Sequence, residues 1–220
     1  MITIDCRMWK SSGIGTYLQN LVPRVAGRMP ETEFVLLGDA EVLSDAISDH
    51  VSVRTLNAPI YSVCQQWAVP AAIPAKTALH WSPHYNVPVF SSAPLLVTIH
   101  DALHVAMPEM FPGWDKQLYA ALMFRAALYR AKAVMTVSEF TSGELQRLFG
   151  TWAAPQRIHA VPNGVDEAWF AIQPAARPYA REYLLYVGNV KPHKNLRGLV
   201  SAFGKIRDGM DLDLVIVGER

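Results

Sequence analysis

The sequence has few of the features that mark secreted, membrane-spanning or nucleic-acid-binding proteins. Two cysteines, Cys6 and Cys64, are too few for a disulfide framework and predict reduced, buried thiols in a cytosolic protein. No uncharged run reaches about 18 apolar residues, and Met1 leads into a strand-like segment without the pattern of a signal peptide. The formal net charge is +1, so no overall field favours nucleic acid or an anionic membrane.

Short apolar segments alternate with segments of helical periodicity through the first 172 residues. The apolar segments suit strands that are covered on both faces of a parallel sheet. Alternation of this kind predicts an α/β fold with a doubly wound sheet, in which ligands bind beyond the carboxyl ends of the strands. The predicted strands are Ile2–Asp5, Glu33–Leu37, Val51–Arg54, Ala78–Trp81, Leu95–Ile99, Ala133–Val137 and Arg157–Val161. The predicted helices are Gly15–Gly27, Val63–Ile73, Gly113–Arg130 and Glu139–Phe149, the last capped by Ser138 and ended by Gly150.

A proline-rich segment separates this domain from a shorter one. The shorter one holds a single β-α-β unit, with strands Tyr183–Val187 and Leu212–Val217 around the helix Asn195–Asp208. One such unit cannot bury both faces of its strands, and a domain of usual size needs roughly 100 further residues. We therefore expect a first domain at 1–172, a linker at 173–182 and the truncated start of a second Rossmann-like domain at 183–220.

The segment that opens the second domain combines an apolar strand, a glycine and a basic helix start. No Asp or Glu occurs in residues 183–207, where Lys191, Lys194 and Arg197 lie. A strand, a tight turn at Gly188 and a helix N-terminus together form an anion site, and the lysines add positive charge beside it. We predict that an anionic ligand binds here. A basic, solvated helix start is the alternative.

Gly13 and Gly15 lie between the first predicted strand and the first predicted helix. In a βα loop, two glycines let the backbone approach a ligand and expose amide N–H groups at a helix N-terminus. A dinucleotide fingerprint would need a third glycine in place of Leu18 and a shorter distance from the strand, so NAD binding is not predicted. A plain loop with glycines for turn geometry is the alternative.

His100 and Asp101 end an apolar strand and therefore lie on the side of the sheet where ligands bind. An imidazole can bond to a sugar hydroxyl or a phosphate oxygen, and it titrates near neutral pH. Adjacent strand residues point to opposite faces, so these two are not expected to pair. A histidine bonded to backbone beside a turn-forming aspartate is the alternative. His80, His84 and His104 lack metal-ligand spacing, so no metal site is predicted.

Three further segments carry weaker signals. Ser138 is predicted to cap a helix whose start could also touch an acceptor substrate. Asn163-Gly164, next to Pro162, predicts a turn that could make an interdomain contact. The stretch 114–132 predicts a buried helix with a solvated basic edge, and a helix on a membrane surface is its alternative.

Taken in order, these segments resemble the retaining GT-B glycosyltransferases of family 4, also called glycosyl transferases group 1, over essentially the whole chain. The bacterial mannosyl- and rhamnosyltransferases that build surface polysaccharides are the most similar branch. The resemblance implies two Rossmann-like domains, the first for the acceptor and the second for the nucleotide sugar. It rests on the segments Gly13–Tyr17, Val97–Asp101, Thr136–Phe140, Val161–Asp166 and Tyr186–Leu196.

The resemblance implies two catalytic residues. His100 would contact the donor sugar near the reacting centre, and Lys194 would bind the diphosphate and stabilise the leaving nucleotide. Anomeric configuration would be retained without a metal or other cofactor. Asn189 stands where many members carry an arginine. The implied substrate-binding residues are Gly13, Gly15, Asp101, Ser138, Asn163, Gly188, Asn189 and Arg197.

The expected partners are a nucleotide-sugar donor and a saccharide or lipid-linked acceptor, with no nucleic acid. The family's paired glutamates, which hold the donor sugar and ribose, would lie beyond Arg220, so we expect little activity from the 220-residue chain alone. The expected location is the cytoplasm, and both peripheral contact with the inner face of the membrane and homo-oligomer formation are compatible with the family.

Two other functions also fit the sequence. One is a non-catalytic fragment that binds an acceptor or completes its sheet with another chain. The other is a different GT-B enzyme, such as a nucleotide-sugar epimerase, which shares the architecture but matches the motif order less well.

Overall fold

A computed structural model of the protein describes residues 1–173, 175–176, 179–209 and 211–218. Within these residues the chain forms two compact units, Met1–Asp166 and Glu167–Arg220. Of the predicted linker, Pro174, Arg177 and Pro178 lie outside the described residues. The boundary between the units falls before the predicted linker, and the division into acceptor domain, linker and donor domain stays a prediction.

The first unit is built on a parallel sheet. Its strands follow one another in the order β3-β2-β1-β4-β5-β6-β7, and every neighbouring pair is parallel. The order reverses between β1 and β4, which is the point where doubly wound sheets bind ligands. In the described part of the chain the strands of this sheet are β1 (Ile2–Asp5), β2 (Phe34–Gly38), β3 (Val51–Thr55), β4 (Leu79–Ser82), β5 (Leu95–Ile99), β6 (Ala131–Thr136) and β7 (Ile158–Ala160).

The helices cover both faces of the sheet. Ser138 caps α5 as predicted, because its Oγ accepts a hydrogen bond from the Thr141 amide at 3.1 Å. Gly150 ends the same helix with a φ of +52°, a conformation that glycine adopts without strain. The helices of the unit are α1 (Ser12–Arg28), α2 (Gln65–Ala72), α3 (Leu103–Ala106), α4 (Trp114–Arg130) and α5 (Glu139–Phe149).

The core lies on both sides of the sheet, which explains why most strand residues are apolar. On one side, Leu18 and Val22 of α1 pack with Ile4 and Trp81. On the other side, helices α4 and α5 pack against β5 through the buried residues Phe124, Leu128, Leu145, Val97 and Ile99.

Helix α4 is a buried helix with a solvated basic edge, as predicted, and it also exposes apolar side chains. Its inner face does enter the core, through Ala120, Phe124, Ala127 and Leu128. Its outer face carries exposed Lys116, Arg125 and Arg130. It also carries four exposed apolar side chains, Trp114, Leu118, Leu122 and Tyr129, which are 77%, 51%, 53% and 68% exposed. Because spacings of four and seven residues place side chains on one side of a helix, these four form an exposed apolar stripe.

The second unit contains a β-α-β arrangement with a short helix, α6 (Glu167–Ala171), before it. Strands β8 (Glu182–Val187) and β9 (Leu212–Val217) pair in parallel along their full length. Helix α7 (Leu196–Ile206) ends before the predicted Asp208 and runs into a 3-10 turn, Arg207–Gly209. Within the described residues, apolar side chains of β8 and β9 such as Leu185 and Val217 are exposed.

No helix in the described ranges combines the length and the apolar character that crossing a membrane would require.

Candidate substrate site

His100 follows β5 and lies beside the end of β4. Its Nε2 is 3.1 Å from the carbonyl oxygen of Pro83. Because a carbonyl oxygen only accepts, Nε2 must carry the proton of this hydrogen bond. Burial lowers the pKa of His100, although the Pro83 bond and Asp101 oppose the shift. The ring is therefore a neutral imidazole near neutral pH, held by backbone at the carboxyl edge of the sheet.

Tyr17 of α1 packs against this histidine. The two rings meet edge-on, with centroids 4.8 Å apart and planes at 88°. The Tyr17 hydroxyl lies 3.4 Å from Thr98 Oγ1, and the same oxygen accepts a hydrogen bond from Trp81 Nε1 at 2.9 Å. Helix α1 is thereby tied to β4 and β5 next to His100.

Ser138 and Asp101 lie near His100 but act on the backbone. The hydroxyl of Thr141, in the first turn of the helix that Ser138 caps, donates to the carbonyl of His100 at 3.3 Å. The Asp101 carboxylate accepts a hydrogen bond from the Leu103 amide at 2.9 Å. This is the contact of a turn-forming aspartate, the alternative given above for Asp101. The structure therefore brings His100, Asp101 and Ser138 together, with the latter two fixing local backbone.

A buried ion pair lies at the end of β1. The guanidinium of Arg7 donates from Nε to Asp5 Oδ1 at 2.9 Å and from Nη2 to Asp5 Oδ2 at 2.6 Å. It also donates to the carbonyl of Ala58 at 2.9 Å and to Gln65 Oε1 at 3.1 Å. The exposed fractions of the Arg7 and Asp5 side chains are 5% and 8%, so both charges depend on these partners rather than on water.

A closed ring of hydrogen bonds adjoins the ion pair. Gln65 Nε2 donates to the Tyr119 hydroxyl at 2.9 Å. That hydroxyl donates to Asn86 Oδ1, and Asn86 Nδ2 donates back to Gln65 Oε1 at 2.9 Å. The ring joins helix α2, the segment after β4 and helix α4. Because every member of the ring is bonded to another, this part of the first unit is rigid.

His84 lies beside this ring in a neutral state. Burial, reinforced by the positive charges that His100 and His104 could carry, lowers the pKa of His84 to about 3. Its Nδ1 accepts from the Asn86 amide at 3.3 Å, so the proton is on Nε2, which lies 3.1 Å from the hydroxyl oxygen of Tyr61. Tyr61 has a φ of +64°, which is unusual for a bulky residue and marks a constrained position.

A small cavity of about 10 Å³ opens next to His84. Such a volume has room for about one water molecule. Ser82, which is 1% exposed, lines it, and its Oγ has no hydrogen-bond partner within the described residues. The other lining residues are Asp5, Met8, Ile60, Pro83, His84 and Asn86.

The glycine motif is not the predicted loop. Gly13 and Gly15 lie inside the first turn of α1, which begins at Ser12. A Cβ on Gly15 would come within 2.4 Å of the Trp9 carbonyl oxygen, whereas a Cβ on Gly13 would meet nothing within 4 Å. Gly15 is thus required by the close packing of the preceding turn against α1. The helix starts earlier than predicted because residues 7–11 form the turn.

Asn163 and Gly164 are not in a turn either. Residues 161–166 run without a turn or bend, and Asn163 is exposed. The segment is anchored instead by the Val161 amide, which donates to the Thr136 carbonyl at 2.7 Å, and by Asp166, which pairs with Arg24 at 2.5 Å.

The two cysteines differ in environment. Cys6 is 1% exposed, as predicted, and burial together with the Asp5 charge raises the pKa of its thiol well above the ordinary value. Cys64 was expected to be buried, but it is exposed because it precedes α2 at the surface. Neither forms a disulfide.

In the second unit, Gly188 and Gly218 end the two strands. Their φ values are +156° and +154°. A Cβ on Gly218 would lie 2.0 Å from the carbonyl oxygen of Gly188, so the backbones approach too closely for any other residue. Asn189 follows Gly188, and its carbonyl accepts from the Tyr186 hydroxyl at 3.4 Å.

Lys194 ends a 3-10 turn, Pro192–Lys194, that leads into α7. Asn195 has a φ of +51° and caps the helix through its Oδ1, which accepts from the Gly198 amide at 3.2 Å. Lys194 and Arg197 flank this cap and are exposed. The predicted strand, glycine and basic helix start are therefore present, with exposed cations at the helix N-terminus.

Sequence reasoning missed the ion pair and the hydrogen-bonded ring. Asp5 ends β1 and Arg7 lies two residues beyond it. Charged residues at the carboxyl end of a strand were the signal in the sequence that could have revealed the ion pair. Gln65, Asn86 and Tyr119 carry no local signal. Within the described ranges, no group of three or more His, Cys, Asp or Glu side chains is arranged to hold a metal ion.

The fold can be compared with solved structures. Two crystal structures of HepE from Anabaena, one in complex with UDP and glucose and one with UDP-glucose, are similar with TM-scores of 0.65 and 0.67. Their sequence identities are 17% and 16%, and the matches cover 100% and 99% of this chain and 61% and 60% of those chains. These likenesses confirm the predicted fold class, an α/β Rossmann-like architecture of the GT-B type.

The sequence comparisons identify the family. O-antigen chain mannosyltransferase B of Escherichia coli is 29% identical over 114 residues, which are 49% of this chain and 30% of that protein. The chain therefore spans less than two thirds of the length of each of these proteins. The model of Glycosyltransferase Family 4 matches residues 11–169, well over half of the chain. The protein belongs to Glycosyltransferase Family 4.

Proposed function

We propose that this chain belongs to a glycosyltransferase that transfers a hexose from a nucleotide sugar to a saccharide or lipid-linked saccharide, with retention of anomeric configuration. The observation that carries the proposal is the family match over residues 11–169. A mannosyltransferase relative favours mannose or the similar rhamnose as the transferred sugar. Two structures of similar fold contain UDP with glucose or UDP-glucose, which supports a nucleoside diphosphate sugar as the donor.

The first unit would take the acceptor and the reacting end of the donor. Its carboxyl edge at β1, β4 and β5 carries a backbone-held imidazole, His100, and the largely buried hydrogen-bonded ring of Gln65, Asn86 and Tyr119 supports the structure nearby. An imidazole suits sugar recognition, because each sugar hydroxyl both donates and accepts hydrogen bonds. Asp101, Ser138 and Asn163 are proposed as substrate-binding residues, the first two through the backbone that they position.

The second unit would take the diphosphate. The start of α7 offers amide donors to an anion, and Lys194 and Arg197 add positive charge. The Gly188 amide is used within the sheet, where it donates to the Val217 carbonyl at 2.9 Å, so Gly188 and Asn189 are proposed to shape the turn beside the anion. Negative charge accumulates on the leaving phosphate oxygen as the glycosidic bond to it breaks. An ammonium held there, proposed to be that of Lys194, stabilises this charge most in the transition state and so lowers the barrier.

We place the reaction in polysaccharide biosynthesis at the inner face of the cytoplasmic membrane. The O-antigen relative supports the assignment to polysaccharide biosynthesis. The exposed Trp114, Leu118, Leu122 and Tyr129 of α4 support a peripheral contact with lipid, because tryptophan and tyrosine favour the membrane interface.

Calorimetric titration of the full-length protein with GDP-, UDP- and dTDP-sugars tests the proposal. We expect binding of one nucleotide class, and transfer from that donor to a saccharide acceptor. Lys194→Gln should weaken binding and transfer, whereas Lys205→Gln, which removes an exposed lysine from the last turn of α7, should not. A folded protein that binds none of these donors would refute the proposal.

A further inference from the structure

Ser82 carries a buried hydroxyl that no other group of the protein satisfies. This residue ends β4 and is 1% exposed, and its Oγ has no hydrogen-bond partner within the described residues. A buried hydroxyl without a partner destabilises the folded state, and native proteins rarely contain one. The partner is therefore to be sought in the cavity of about 10 Å³ that Ser82 lines.

Asp5 faces the same cavity from the neighbouring strand. Thr3 of β1 is in register with His80 of β4, and Thr3 Oγ1 lies 2.8 Å from His80 Nδ1, so these two side chains share one face of the sheet. Side chains alternate along a strand, so Asp5 and Ser82, each two residues further on, lie on that same face. Both line the cavity, which therefore has a hydroxyl on one side and a carboxylate on the other.

The Asp5 carboxylate has room for one more hydrogen bond. Its Oδ1 accepts from the amide and the Nε of Arg7 at 3.2 and 2.9 Å, and its Oδ2 accepts from Arg7 Nη2 at 2.6 Å. Each carboxylate oxygen accepts about two hydrogen bonds, so one lone pair of Oδ2 is left. A ligand in the cavity can donate to this oxygen and accept from Ser82.

Size and charge restrict what this ligand can be. A volume of about 10 Å³ has room for about one water molecule. The negative charge of Asp5 is matched by Arg7, and His84 is neutral near neutral pH because burial lowers its pKa to about 3. Arg7 disfavours a cation in the cavity and Asp5 disfavours an anion. A small neutral molecule that both donates and accepts hydrogen bonds fits all of these conditions.

We infer that one ordered water molecule occupies this cavity, where it accepts a hydrogen bond from Ser82 Oγ and donates one to the Asp5 carboxylate. The water joins the carboxyl ends of β1 and β4, between which the strand order reverses. It also completes the hydrogen bonding of the buried pair of Asp5 and Arg7. This site is independent of the proposed function and of any substrate.

A crystal structure of the 220-residue chain, at a resolution that shows ordered water, tests the site directly. It should contain one ordered oxygen in the cavity, within about 3.2 Å of both Ser82 Oγ and an Asp5 carboxylate oxygen. Ser82→Ala removes one of these two partners, and its structure should lack the ordered oxygen. A cavity without density in the parent, or density for an ion with its own coordination distances, would overturn the inference.

Urea unfolding gives a second test, because the sign of the effect depends on the water. If the water bridges the two strands, Ser82→Ala breaks a hydrogen bond and should raise the unfolding equilibrium constant about threefold to tenfold. If the cavity is dry, the same change removes an unsatisfied hydroxyl, and the constant should stay the same or fall. An unchanged or lower constant would therefore overturn the inference.

Thr77→Val is the matched control. Thr77 Oγ1 is also buried without a hydrogen-bond partner in the described part of the chain, but Thr77 is not among the residues that line the cavity. Valine has nearly the shape of threonine, so this variant should not raise the unfolding constant. A rise equal to that of Ser82→Ala would contradict the inference. If Ser82→Ala does not fold, the crystal structure of the parent decides.

Discussion

The ring of Tyr17 meets the ring of His100 edge-on, with a centroid separation of 4.8 Å. This contact joins the first helix to the end of the fifth strand. It also places the tyrosine of the segment Gly13–Tyr17 against a predicted catalytic residue, a contact that the sequence did not indicate.

Gly15→Ala should destabilise the protein, because its Cβ would come within 2.4 Å of the Trp9 carbonyl oxygen. We expect a loss of about 1–3 kcal/mol in the free energy of unfolding of the first unit, as for other overpacked positions. Gly13→Ala is the matched control, since its Cβ meets open space and alanine favours the helix by up to about 1 kcal/mol. Urea unfolding measures both, and equal effects would contradict the packing argument.

Arg7→Met should be strongly destabilising. It leaves the buried Asp5 carboxylate unpaired and removes the bonds to Ala58 and Gln65, for which we expect a loss of about 3–5 kcal/mol. Arg147→Met breaks an exposed ion pair with Glu144 and should have a much smaller effect. Thermal and urea unfolding compare the variants, and similar losses in both would show that burial of the Arg7 pair is unimportant.

Stability should fall with acidification below about pH 6.5. The folded-state pKa values of His80 and His84 are lowered to about 4 and about 3, mainly by burial. Below the pKa that each histidine has in the unfolded chain, the unfolded state binds more protons than the folded state. The free energy of unfolding therefore falls further as the pH drops, until the pH reaches the folded-state pKa. Each contributes about 1.4 kcal/mol per pH unit in that window. His84→Gln should flatten the plot of unfolding free energy against pH between about pH 6 and pH 4. A slope identical to that of the parent would show that His84 does not contribute to the pH dependence of stability.

One thiol should react in the native protein. Cys64 is exposed and Cys6 is buried with a raised pKa, and thiolate access controls the rate. Titration with a thiol-specific chromogenic reagent should therefore modify Cys64 promptly and Cys6 only after unfolding. Cys64→Ser should abolish the fast reaction. If both thiols of the parent protein reacted at the same fast rate, the burial of Cys6 would be contradicted.

The apolar stripe of α4 should support binding to vesicles that contain an anionic phospholipid. Leu118→Ser combined with Leu122→Ser should reduce co-sedimentation, because two exposed apolar side chains are lost. Ile47→Ser, at an exposed apolar position outside α4, is the control. If the parent chain does not sediment with vesicles, or if the control variant loses binding equally, the proposed membrane contact is wrong.

Local sequence patterns predicted the elements well where burial or capping decides them. Strands β1, β5 and β9 and helix α5 have the predicted bounds. Mostly apolar runs indicate the strands, and a Ser cap with a terminal glycine indicates the two ends of the helix. Prediction failed for Gly13–Gly15, Cys64 and Asn163-Gly164. Glycine and asparagine adopt several backbone conformations, and the neighbouring residues decided which one is present. Cysteine occurs both in cores and at surfaces, and the position before α2 placed Cys64 at the surface.

The sequence by itself determined the alternation of strands and helices, the family, and the polar residues that follow the apolar strands. Only the tertiary structure decided which of those residues meet. Tyr17 and His100, or Arg7 and Gln65, are far apart in the chain, and they touch because β1 lies between β2 and β4 and α1 packs across β4 and β5. Contacts of this kind depend on strand order and crossover geometry, for which no residue carries a local signal.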